Sequence, residues 1–216
     1  MKIFENALPE VSRKLLETLN GELRQWKFYL SDGSGLAIQI GHRVSEDLDF
    51  YTPSRFEPDV LTRYLSSAFN YKETLIAPQT LYCTLDRVKV SFIWYEVPLL
   101  YPTFHFKKVE IADWKDILTE KFKTLSQRGS RKDFYDIYFT LLLKNVSIGS
   151  AIEIFKKRFE GSGINYYHIL KSLVFFDDAE QEPELNLLKK VSWEEVKSFF
   201  TNNLREFEKH LLGEEI

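Results

Sequence analysis

The sequence predicts an α+β chain: a mixed β-sheet core with flanking helices over residues 1–110, followed by an all-helical C-terminal domain over residues 111–216. Three observations predict it. Between residues 27 and 95 several stretches are rich in β-branched and aromatic residues, after residue 112 apolar residues recur at spacings of three and four, and Pro98 and Pro102 mark the change. A chain of 216 residues with 44% hydrophobic content can bury a substantial core.

Each element has its own warrant. Leu8, Val11, Leu15, Leu19 and Leu23 form one apolar stripe, which predicts a single helix of roughly four turns. KFYLS (27–31) reads as a short strand, residues 33–40 as a buried helix of small and apolar residues, and LDFYT (48–52) as a second strand. After Pro53 and Pro58, the positions Val60, Leu61, Tyr64, Leu65 and Ala68 describe an amphipathic helix. YKETLIA (71–77), QTLYCTL (79–85) and RVKVSFIWY (87–95) read as strands, the last two joined as a hairpin at Leu85, Asp86 and Arg87. Helical periodicity then covers 113–128, 131–145, 148–160, 165–175 and 192–212. Ser192 and Glu195 fit a capping box at the start of the last helix. The acidic stretch FDDAEQEPE (176–184) reads as a solvated loop.

Composition excludes several function classes. With 29 Lys and Arg against 32 Asp and Glu, the net charge of -3 exerts no global pull toward nucleic acid or anionic membrane. The lone Cys83 has no intramolecular disulfide partner, and the four histidines (42, 105, 168, 210) lack zinc-ligand spacing. A reducing, cytoplasmic setting is the expectation. The N-terminal residues lack the uninterrupted apolar core of a signal peptide, and no apolar window approaches transmembrane length, so no membrane association is expected.

The chemistry concentrates in LSDGSGLAIQIGHRVSEDLDFYTP (30–53). If the strand continues from Asp47, then Asp47 and Asp49 project to one face, with α-carbons roughly 7 Å apart. Such a pair is unfavourable without a cation and suits a hard divalent ion such as Mg²⁺. Acid-x-acid pairs are common by chance in a chain with 32 acidic residues, so the neighbours carry the argument. Gly33 and Ser34 stand at a strand-to-helix junction, where free N–H groups favour anions; the plain alternative is a tight turn. An anion cradle followed by a metal-binding pair suits nucleotidyl transfer, with the cradle on the β- and γ-phosphates.

These residues resemble the first motif of the AbiEii/AbiGii nucleotidyltransferases, whose pattern is roughly GGTALALxLGHRxSxDLDF. Gly33, Ser34, Leu36, Ala37, Gly41, His42, Arg43, Ser45, Asp47, Leu48, Asp49 and Phe50 match in order, while Asp32 replaces the first glycine and Gly35 an alanine. The similarity continues in VKVSFIWYEVPLL (88–100) and in DILTEKFKTLSQRGSRKDFYDIYFTLL (116–142). The resemblance implies a nucleotidyltransferase-like fold and transfer of an NMP from an NTP to an acceptor hydroxyl, with RNA, tRNA in particular, as the acceptor. It further implies Mg²⁺ or Mn²⁺ as cofactor, a toxin role in a toxin-antitoxin or abortive-infection system, and a cognate antitoxin as partner.

By the same resemblance Lys121 contacts the triphosphate, and Asp133 and Asp136 are the acids of the motif KDFYD. Asp136 and Lys121 are expected at the chemistry, Asp133 beside the nucleotide or paired with Arg128. Lys123, Arg131 and Lys132 read as a solvated helical face. Arg43 is expected among the nucleotide-binding residues, supporting the metal loop by pairing with Asp47 or Glu46. Ser91 stands where many nucleotidyltransferases supply a third carboxylate, and a hydroxyl is a weaker Mg²⁺ ligand. That departure, with Asp32, motivates the alternatives: a nucleotide-binding regulatory protein whose catalysis has decayed, or a structural partner of an antitoxin.

Overall fold

The computed structural model describes residues 2–19 and 22–213, with Glu22 described by its backbone alone. The chain divides into two compact units, Met1–Asp113 and Trp114–Ile216.

The first unit is built on a seven-stranded mixed sheet in the order β3-β4-β5-β2-β1-β7-β6. The strands are β1 (Tyr29–Leu30), β2 (Leu48–Thr52), β3 (Tyr71–Ala77), β4 (Thr80–Leu85), β5 (Val88–Trp94), β6 (Phe104–Phe106) and β7 (Val109–Ile111). Strands β3, β4 and β5 form an antiparallel meander. Its β4–β5 turn is the expected one: Asp86 (φ 47°) and Arg87 (φ 73°) both take positive φ, the conformation whose twist matches a two-residue hairpin. β5 then pairs in parallel with β2, while β1 is antiparallel to β2 and parallel to β7.

Alternation sorts the faces. On β2 the side chains of Leu48, Phe50 and Thr52 are buried while Asp49 and Tyr51 are half-buried. Phe50 stacks on Phe92 at 5.4 Å, and Phe28 meets Phe92 and Phe56 edge-on at 5.0 and 5.2 Å. The helices α3 (Asp32–Ile40) and α4 (Pro58–Ala68) follow β1 and β2, and α4 contributes Leu61 and Leu65 to this core.

The single N-terminal helix of the apolar stripe is not what forms. A 3₁₀ turn (Glu5–Ala7) precedes α1 (Glu10–Thr18) and α2 (Glu22–Gln25), and Asn20 and Gly21 lie outside the described residues. Pro9 takes the N-cap position, so Leu8 lies before the helix, and Val11 is 41% exposed. Leu15, Leu19 and Leu23 are buried as expected. The expected strand over 27–31 contracts to two residues, and β6 and β7 were not expected at all. Three-residue strands are too short to display a period.

The second unit is helical: α5 (Trp114–Arg128), α6 (Arg131–Lys144), α7 (Ile148–Arg158), α8 (Tyr166–Ser172), α9 (Asp177–Glu180), α10 (Trp193–Asn202) and α11 (Leu204–Leu212). Phe122, Phe134, Phe155, Phe200 and Phe207 are fully buried within it. The Ser192 hydroxyl accepts from the Glu195 N–H at 3.1 Å, forming the expected cap. The last helix, expected to be continuous over 192–212, breaks at Asn203, whose side chain donates to the Phe199 carbonyl and so competes with the helix ladder.

Residues 176–184 are not simply a solvated loop. They contain α9, and Glu182 accepts from the Ser130 hydroxyl and the Arg131 N–H, each at 2.9 Å, which caps the start of α6. Arg131 departs from the expected solvated face for the same reason. It is 8% exposed, donates to the Ala179 carbonyl at 2.8 Å and lies over the Trp193 ring at 5.2 Å. Among the described residues no single helix is long and apolar enough to cross a membrane.

Candidate active site

The parallel pairing of β2 with β5 sets Asp49 directly beside Ser91. The Ser91 hydroxyl donates to Asp49 Oδ1 at 2.6 Å, a short charge-assisted hydrogen bond that fixes how the carboxylate is turned. Asp47 comes just before β2. The Ser34 hydroxyl donates to the Asp47 carbonyl, which ties the first turn of α3 to the residue that opens the acidic strand. Asp47, Asp49 and Ser91 line a cleft of about 240 Å³ in the first unit.

Two further residues of that cleft escaped the sequence reading. Lys89 lies two residues before Ser91 on β5 and pairs in register with Thr84 of β4, and both line the cleft with the acids. The signal was available: once Ser91 is placed on the Asp49 face, strand alternation places Lys89 there too. An ammonium at the edge of an acidic cleft is a ready partner for a phosphate oxygen.

Helix α3 places Gly33 and Ser34 in its first turn. Its N-cap, Ser31, makes no side-chain capping bond, and first-turn N–H groups have no partner within a helix. Gly33 is closely packed by protein neighbours: a Cβ there would lie 2.5 Å from Arg43 Nη2 and 3.0 Å from Ser45 Oγ. Arg43 is 4% exposed and donates to the Val44 carbonyl at 3.2 Å, so its guanidinium braces the loop between α3 and β2. Asp32 has φ 47°, in the left-handed region, at the position where the resembling pattern has glycine. Aspartate is among the few other residue types that adopt it readily.

Lys121, Asp133 and Asp136 come together in the second unit. The Lys121 ammonium lies 2.9 Å from Asp133 Oδ1 and 2.8 Å from Asp136 Oδ2, and all three residues are 0% exposed. Arg128 adds a bidentate contact to Asp133, with Nε at 2.7 Å and Nη2 at 2.9 Å. Lys121 and Arg128 thus meet the carboxylates of Asp133 and Asp136 where α5 meets α6.

A mixed sheet with two acids at a central strand, entered from a short Gly-Ser helix start, has the architecture of a nucleotidyltransferase. Solved structures share it. A crystal structure of a candidate nucleotidyltransferase from H. pylori aligns over 99% of this chain and 100% of its own at 15% identity, with a TM-score of 0.56. JHP933 from Helicobacter pylori aligns over 97% of this chain and 95% of its own at 15% identity, TM-score 0.52. At such identities the likeness is one of fold. The sequence goes further: residues 78–211 match the family model of the nucleotidyl transferase AbiEii toxin of type IV TA systems. The uncharacterized protein aq_aa25 of Aquifex aeolicus (strain VF5) is 34% identical over 184 residues, 83% of this chain and 87% of the relative. The chain belongs to the AbiEii nucleotidyltransferase toxin family.

Proposed function

We propose that the protein transfers the nucleotidyl group of an NTP to the hydroxyl of an acceptor, with the cleft of Asp47 and Asp49 as the reacting centre. The observation that carries this reading is the Asp49–Ser91 pairing on adjacent parallel strands, with Asp47 in the same cleft. The acceptor oxygen bonds to the α-phosphorus, the bond to the bridging oxygen of pyrophosphate breaks, and the hydroxyl proton leaves to solvent or base. Two carboxylates and a hydroxyl are hard oxygen donors, which fits Mg²⁺ or Mn²⁺ at Asp47 and Asp49. Such an ion, when bound, neutralises the triphosphate and lowers the pKa of the attacking hydroxyl.

The chain's own residues supply the rest. Ser91 holds the Asp49 carboxylate in one orientation. The first turn of α3, at Gly33 and Ser34, offers N–H groups to the phosphates, and Lys89 offers a cation. Arg43 acts on the nucleotide indirectly, by bracing the loop that carries Asp47. Lys121, Asp133 and Asp136 are proposed to serve the reaction as the pre-arranged cluster described above. The domain assignment, 1–110 for the nucleotidyltransferase core and 111–216 for the helical domain, belongs to this proposal. So do an RNA acceptor such as tRNA, a cognate antitoxin and a cytoplasmic setting.

The test is incubation of the protein with each α-³²P-labelled NTP, Mg²⁺ and total cellular RNA, with pyrophosphate release followed in parallel. Label on RNA that disappears in folded Asp47→Asn and Asp49→Asn proteins supports the proposal. NTP binding without label or pyrophosphate would instead favour the decayed nucleotide-binding protein, the reading motivated by a serine in place of a third acid.

A further inference from the structure

The first unit holds a larger cavity, of about 410 Å³, that shares no lining residue with the acidic cleft. Its walls are apolar. Phe28, Tyr29, Phe50 and Val109 are buried side chains of the sheet region, so this part is already formed, and the irregular segment 97–99 closes one side. The volume falls within the range of about 300–1,000 Å³ typical of small-molecule sites.

The rim is basic. Arg24, Lys27 and Lys108 border the cavity and Glu110 is the one acid among its lining residues. Glu110 is already engaged at both oxygens: Thr103 donates to Oε2 at 2.8 Å and His105 Nδ1 lies 2.8 Å from Oε1. Arg24 Nη2 lies 3.0 Å from His105 Nε2, so Arg24 is engaged as well. Lys27 and Lys108 are both exposed, and among the described residues neither makes an ion pair. Two ammonium groups without an ion-pair partner among the described residues therefore stand at the mouth of an apolar-walled cavity.

We propose that this cavity is a binding site for a small amphipathic anion: a flat apolar body among Phe28, Pro53, Val97 and Leu99, and a carboxylate, sulfonate or phosphate head between Lys27 and Lys108. The apolar walls reward burial of a flat hydrophobic body and leave its charged head nowhere to go but the rim. The two lysines meet it there. The site is separate from the transfer chemistry and does not depend on it.

The probe is 8-anilinonaphthalene-1-sulfonate, an aromatic body with one anionic head, titrated by fluorescence into the full-length native protein, with naphthalene as the uncharged competitor. The expected result is saturable one-to-one binding that naphthalene displaces. The surface double variant Lys27→Glu/Lys108→Glu should weaken the sulfonate at least tenfold and leave naphthalene unchanged. Leu99→Trp, on the irregular segment, should fill the cavity and abolish both. Circular dichroism confirms that the variants keep the native fold. Absence of saturable binding to the native protein overturns the site. Saturable binding that the double variant leaves unchanged overturns the anionic head, and binding that a folded Leu99→Trp protein retains places the probe elsewhere.

Discussion

Replacing Lys121 by methionine removes the ammonium that bridges Asp133 and Asp136, at 2.9 and 2.8 Å, and leaves a similar apolar stem in place. Both carboxylates are 0% exposed, so neither is compensated by water. Breaking a buried ion pair by deleting one partner costs about 3–5 kcal/mol. Asp133 keeps its bidentate Arg128 contact, which places the expected cost near the lower end, about 3 kcal/mol. For the chain of 216 residues, that corresponds to a fall in Tm of about 6–12 °C. Differential scanning calorimetry on the intact protein reads it directly. The double variant Lys121→Met/Asp136→Leu should recover more than half of the loss, because an apolar pair of similar volume replaces a buried charge pair at little cost. A Tm shift below about 4 °C for Lys121→Met, together with a large loss of NTP affinity, would refute this reasoning and give the lysine to the triphosphate.

Gly33→Ala should cost about 1–3 kcal/mol, because the added Cβ meets a buried guanidinium 2.5 Å away; urea denaturation checks it, and an unchanged midpoint would mean that Arg43 swings aside freely. Ser91→Ala should keep the fold and reduce transfer at saturating NTP by roughly tenfold, because the carboxylate of Asp49 loses its orienting donor, worth about 1.5–3 kcal/mol for a hydrogen bond to a charged group. Ser91→Asp should instead tighten Mg²⁺ binding measured by calorimetry without nucleotide. Burial pushes the Cys83 thiol from an ordinary 9.0 up to about 12. The neutral thiol is favoured in the fold, so stability from this group is full below pH 9 and is lost between pH 9 and 12, where the unfolded chain holds fewer protons; alkylation at pH 8 should accordingly be slow until urea unfolds the chain.

The central strands were legible because their residues alternate. LDFYT buries Leu48 and Phe50 and leaves Asp49 and Tyr51 half-exposed, which is the period-two pattern that selects a strand. The meander was legible from β-favouring runs and a two-residue turn. The helices of the second unit follow their apolar periods, but their ends do not: Asn203 is ordinary in sequence and breaks a helix only because its side chain finds the Phe199 carbonyl. At the candidate site, the row Asp49–Ser91 could be guessed from the motif and extended to Lys89 by alternation, whereas adding Thr84 needs the strand register. The reason for Gly33 was also hidden. Only the fold reveals that Arg43, ten residues later, returns to occupy the space that a side chain would take.

The parallel pairing of β2 with β5 has a kinetic consequence. Strands β3, β4 and β5 close on neighbouring segments, while the bond from Ser91 to Asp49 spans 42 residues. Short-range closure precedes long-range closure when loop entropy sets the order, so the meander forms before β2 docks onto it. Until that docking, Asp49 hangs in water without its serine, and the cleft does not exist.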